Sequence, residues 1–240
     1  MREGESLDPQ SKLWRDLEED IITCHLCPRL VEWREGIAVQ KRRAFSDWDY
    51  WGKPVPGFGD PEAQLLIIGL APGAHGSNRT GRMFTGDSSG DTLFGAMYRA
   101  GFASKPVSRQ NEDGLILQDA FLTAVGRCAP PKNRPTAEEL ANCRQYLLRE
   151  IDLLHRVCVV LALGQIAFDG YIRLLREQGL EVPRTKFKHG LRVDFGESRP
   201  SLVACYHPSR QNTQTGRLTD AMMDVVFSSI RTTLANANDG

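Results

Sequence analysis

Four short segments are apolar without alternation: AQLLIIGL (63–70), AFLTAV (120–125), VCVVLALG (157–164) and SLVACYHP (201–208). A strand with one wet face alternates, whereas a continuous run of this length suits a strand buried on both faces of a parallel sheet. Around and between these runs, apolar positions fall at helical spacing. They predict helices over 11–23, 91–101, 136–155, 165–178 and 219–235. Thr136 with Glu139 three residues on, after Pro135, is a capping-box pattern. LRVDFG (191–196) reads as a more polar additional strand. Residues 33–61, with WDYWGKPVPGFGDP, read as irregular because Pro, Gly and aromatics interrupt any period. The alternation of strand, loop and helix predicts a three-layer α/β/α sandwich around a central, mainly parallel four-stranded sheet.

Composition adds limits. At 240 residues the chain suits one α/β domain spanning residues 1–240. Segments 1–10 and 236–240 are expected to be flexible tails. Lys+Arg and Asp+Glu balance at 30 each, so a polyanionic partner would have to be met by local clustering rather than by net charge. No apolar stretch approaches the ~20 residues that span a bilayer, and MREGESLDPQ is not a signal peptide. A soluble, cytoplasmic monomer is the expectation.

Ligands of open α/β sheets bind beyond the carboxyl ends of the strands. Those ends carry GLAPGAHGSNRTGRMFTGD (69–87), GRCAPPKNRP (126–135), GQIAF (164–168) and HPSRQNTQTGRLT (207–219). The first lacks the lysine of a phosphate-cradling loop, and its glycines do not fit the dinucleotide fingerprint. A glycine-rich loop can instead let a flat ligand approach the backbone closely. Phe84 is placed to stack on such a ligand, with His75, Asn78 and free backbone amides as hydrogen-bonding groups. His207 stands at a strand end. Ser209, Arg210 and Arg217 suit phosphate contacts, and Arg79 and Arg82 extend that basic rim.

Six cysteines divide by surroundings. Cys158 and Cys205 lie inside apolar runs and read as core thiols. Cys24 and Cys27 form C-x-x-C, while Cys128 and Cys143 are fifteen residues apart among Pro, Arg and Asn. Four such thiolates permit an iron–sulfur cluster or a structural zinc ion.

The two long loops and RCAPPKNRP resemble the site motifs of the family-5 (type b) uracil-DNA glycosylases, iron–sulfur members of their superfamily. The resemblance runs over residues 12–232. It implies a monofunctional DNA-repair hydrolase that flips uracil out of DNA, cleaves its N-glycosidic bond and leaves an abasic site. Phe84 would stack on the base and Asn133 would bond it, with amides near Ala71 and Gly73 as further donors. His207 would stabilise charge developing at O2. Cys24, Cys27, Cys128 and Cys143 would hold a [4Fe–4S] cluster. Where many relatives carry an acid or Asn, this chain has Ala71, Pro72 and Gly73, which leaves Asn78 to orient the water. An amide is no general base, so a slower, broader enzyme that also accepts hypoxanthine and xanthine is expected, nucleoid-associated when on DNA. The rival readings are a non-catalytic iron–sulfur protein that binds damaged DNA and an electron-transfer protein.

Overall fold

The computed structural model describes residues 9–196 and 199–238. Two helices open it, α1 (Pro9–Ile22) and α2 (Pro28–Gln40). The core then runs β1 (Phe58–Gly59), β2 (Leu65–Gly69), α3 (Ser77–Thr80), α4 (Ser88–Arg99), β3 (Ala120–Ala124), α5 (Ala137–Leu153), β4 (Val159–Leu163), α6 (Gln165–Glu177), β5 (Arg192–Val193), β6 (Ser201–Cys205), α7 (Arg210–Gln214) and α8 (Asp220–Asn238).

The sheet order is β1-β3-β2-β4-β6-β5. Its four central strands are parallel, and all five residues of each are buried. Two-residue strands β1 and β5 add antiparallel edges. The sheet is therefore six-stranded rather than four-stranded: β1 is too short to leave a pattern, and β5 lies within the predicted polar strand.

Successive residues of a strand point to opposite faces, and both faces here are covered. Leu65, Ile67, Leu122, Leu161 and Val203 pack with Phe94 and Met97 of α4 and Phe227 and Ile230 of α8. Leu66, Ile68, Phe121, Val160 and Leu202 pack with Leu147 of α5 and Phe168 and Leu175 of α6. That double burial is why the strands read as unbroken apolar runs. In α5, the Thr136 cap accepts from the Glu139 amide while Glu139 accepts from the Thr136 amide, completing the capping box.

Two expectations are corrected. Residues 33–40 are not irregular but continue α2; only Leu30 and Arg34 of that helix are buried, so it shows no apolar stripe. Of the expected tails, 1–8 and 239–240 lie outside the described residues, whereas Pro9 and Gln10 begin α1 and 236–238 complete α8.

Register sets where the chemistry lies. Leu65 pairs with both Ala120 and Val159, and Val159 with Ser201. The four carboxyl ends are thus level and their loops open on one edge. The chain steps from β2 to β3 on one side and returns to β4 on the other, so this edge includes a topological switch point, where such sheets form a crevice.

Candidate active site

The crevice is a cleft of about 720 Å³. Ala71, Gly73, His75 and Phe84 from the loop after β2 line it, with Asn133 from the loop after β3 and His207, Ser209 and Arg210 from the loop after β6. Three loops far apart in sequence thus bring Phe84, Asn133 and His207 to one space.

Phe84 is held in the left-handed backbone region (φ 53°), a conformation uncommon for a non-glycine residue and worth reading as a constraint. Its ring packs over Gly69, where a Cβ would stand 2.6 Å from Cζ, and its carbonyl lies against Gly90, where a Cβ would stand 1.6 Å from the oxygen. Both glycines are required by the placement of Phe84. Its ring faces His207 at 6.2 Å between centroids, with planes 29° apart. Burial lowers the His207 pKa to about 4, so the imidazole is neutral near pH 7. Among the described residues no group bonds its ring nitrogens, while Asn212 Nδ2 holds its carbonyl at 2.8 Å. One ring N–H is therefore available to a ligand. The amides of Ala71 and Gly73 likewise have no acceptor among the described residues.

A carboxylate that sequence reading passed over completes the cleft. Asp87 caps α4, its Oδ1 accepting from the amides of Ser89 (2.9 Å) and Gly90 (3.1 Å). Its Oδ2 lies against the glycine loop: Cβ atoms at Gly73 and Gly76 would come within 2.8 and 2.2 Å of it. Burial raises its pKa above the usual aspartate value, against the lowering effect of the two amides and Arg79. The loop is thus glycine-rich partly to seat an acid. The available signal was Asp87 just before SSGDTLFGAM, an N-cap pattern. Arg42 and Phe45, also on the cleft wall, were missed with the segment read as irregular.

Three expected site residues lie elsewhere. Asn78 is fully buried and does not line the cleft; its Nδ2 donates to the Arg34 carbonyl at 3.2 Å. Arg79 is 3% exposed, packed against the edge-to-face pair of Phe45 (3.9 Å) and Trp48 (4.1 Å), and donates to the carbonyls of His75 and Gly86. Arg82 is 4% exposed and ties down the 108–113 loop through Ser108, Gln110, Asn111 and Asp113. Neither arginine can reach a DNA phosphate; both fix the loop from within. Arg210 remains exposed at the cleft. Arg217 is exposed over the Tyr206 ring at 4.7 Å. Ser209 caps α7.

Cys24, Cys27, Cys128 and Cys143 line one small cavity together with Arg34 and Arg127. Among the described residues, no three His, Cys, Asp or Glu side chains gather as a site for a single metal ion. Burial pushes the Cys143 thiol up to about 12 and raises Cys128 and Cys27 as well, so these thiols stay protonated until a cation displaces the proton. The Nε atoms of Arg34 and Arg127 are buried without partners among the described residues. All-sulfur donors flanked by incompletely satisfied buried cations fit an anionic metal–thiolate centre. Cys205 is buried and Cys158 half-buried, both packed in the core.

The sequence profile of the uracil DNA glycosylase superfamily matches residues 56–231. A type-5 uracil-DNA glycosylase of Thermus thermophilus is 52% identical over 204 residues, covering 85% of this chain and 90% of the relative. A type-5 uracil-DNA glycosylase of Mycobacterium leprae is 49% identical over 213 residues, covering 88% and 92%. Likeness to a type-4 uracil-DNA glycosylase of Archaeoglobus fulgidus is weaker, 30% over 157 residues, covering 65% and 70%.

Proposed function

The chain belongs to the uracil DNA glycosylase superfamily, and from that premise we propose how it excises uracil from DNA in base repair. The observation that carries the reading is a single cleft in which an aromatic face, a neutral histidine and a half-buried carboxylate converge.

A base inside a duplex is out of reach, so it must be flipped into the cleft. Phe84 stacks on it, and Asn133 bonds its polar edge. As the N-glycosidic bond breaks, the bonding pair leaves with the base and the sugar becomes an oxocarbenium ion. His207 donates its ring N–H to O2 as negative charge grows there, and the amides of Ala71 and Gly73 add donors. A neutral imidazole suits this role: it enters without the desolvation cost of a buried cation. Asp87 Oδ2 takes a proton from water as the water attacks the sugar, so that Asp87, rather than Asn78, activates it. Products are the free base and an abasic site.

Cys24, Cys27, Cys128 and Cys143 hold a [4Fe–4S] cluster on this reading. Its role is to tie the segment joining α1 and α2 to the loop that carries Asn133. The reading includes acceptance of hypoxanthine and xanthine. Arg210, Ser209 and Arg217 contact DNA phosphates, and the enzyme works as a cytoplasmic monomer on nucleoid DNA. No helix among the described residues is long and apolar enough to cross a membrane.

A labelled duplex with one G·U pair tests the reading. Strand breakage only after hot alkali supports a monofunctional glycosylase. A lesion-specific complex without base release would favour a non-catalytic damage binder.

A further inference from the structure

Two buried arginines line the cysteine cavity, and they are satisfied very differently. Arg127 meets Glu150 in a two-pronged pair at 2.9 and 2.6 Å, both side chains 1% exposed. Arg34 is equally buried, yet its only carboxylate neighbour among the described residues is Glu35 at 3.4 Å, which is 54% exposed. Its Nη1 instead donates to Cys128 Sγ at 3.1 Å and to the Cys24 carbonyl at 3.2 Å, and its Nε has no partner among the described residues. A guanidinium so enclosed needs a nearby anion. A cluster held by thiolates at Cys24, Cys27, Cys128 and Cys143 would supply one.

The other end of the same residue points toward catalysis. The Arg34 carbonyl accepts from Asn78 Nδ2 at 3.2 Å. The Asn78 amide donates to the Gly73 carbonyl at 3.0 Å, and the Asn78 carbonyl accepts from Gly52 at 3.0 Å. A short chain of bonds therefore runs from a cysteine sulfur to the glycine loop that lines the cleft.

We propose that Arg34 is a positioning residue joining the two sites: its guanidinium offsets the cluster's negative charge, and its carbonyl pins Asn78 and thereby the glycine loop. This rests on the iron–sulfur reading above. It also accounts for the burial of Asn78 away from the cleft.

The test compares full-length wild type, Arg34→Gln, Arg34→Lys and Asn78→Ala by iron and sulfide content, midpoint potential and amide hydrogen exchange. Arg34→Gln is expected to lose iron during purification. What remains should reduce at a more negative potential, because removing a positive charge and an N–H···S bond disfavours the added electron. Asn78→Ala should keep its iron and potential while amides 73–78 exchange about tenfold faster. Wild-type iron and potential in Arg34→Gln, or unchanged exchange in Asn78→Ala, would overturn the proposal. Should Arg34→Gln fail to fold, Arg34→Lys decides: it keeps the positive charge, so iron retained at close to the wild-type potential supports the proposal, and loss of iron despite the retained charge overturns it. Wild type without iron and sulfide would overturn the cofactor reading itself, and this inference with it.

Discussion

The Asp87 carboxylate rests on the backbone of Gly76, where an added Cβ would stand 2.2 Å from Oδ2. Gly76→Ala must displace either the acid or the loop, so it should destabilise the fold by about 1–3 kcal/mol and slow base release. Gly36, inside α2, has nothing within 4 Å of its added Cβ. There Gly36→Ala should stabilise by about 0.5–1 kcal/mol and leave activity unchanged. Denaturant melts with single-turnover rates of both variants check the pair.

Arg82 and Arg210 should separate folding from binding. Arg82→Ala strips charge-assisted bonds from Asp113 and the 108–113 loop and should cost about 2–4 kcal/mol. Arg210→Ala should stay within about 0.5 kcal/mol of wild-type stability. Its affinity for DNA, however, should depend less on salt, by a slope of about one per lost phosphate contact. Equal salt slopes for Arg210→Ala and wild type would remove Arg210 from the interface.

Acid should act through His207 and Asp87 in distinguishable ways. Burial lowers the folded His207 pKa to about 4 from 6.5, so between those values the unfolded chain binds the extra proton. The resulting stability is complete above about pH 6.5 and is lost as pH falls through 4. His207→Gln should flatten that part of the stability–pH curve. In kcat/KM, the acid limb should follow Asp87, whose pKa burial raises above the usual value. No limb near the ordinary histidine pKa should arise from His207.

Cys128→Ser should lower iron content and thermal stability together, since its thiol lines the shared cavity and accepts from Arg34. Cys205→Ser is the control: its thiol packs beside Met223 in the core, so it should lose stability while keeping iron. Full iron in Cys128→Ser would exclude that residue as a ligand.

The sheet was legible because burial on both faces leaves unbroken apolar runs, and the cleft because strand ends must carry it. Phe84, Asn133 and His207 accordingly meet where the loops predicted. What escaped depends on distant partners. Arg79 and Arg82 read as a basic rim, since nothing local shows that Phe45 and Trp48 enclose one and Asp113 the other. Residues 33–40 escaped because a helix that buries an arginine rather than an apolar stripe has no period to detect. Asn78 looked catalytic by its place in the loop, but its amide is turned toward Arg34 in α2. Asp87 escaped because a carboxylate that only caps a helix and one that also faces a cleft look alike in sequence.

The most direct measurement is single-turnover base release from a G·U duplex by Asp87→Asn. Asparagine can still cap α4, so folding and lesion binding should persist. Release should fall about 10²–10⁴-fold, the usual contribution of a positioned general base. A wild-type rate in Asp87→Asn would contradict the assignment and leave catalysis to the donors around the departing base.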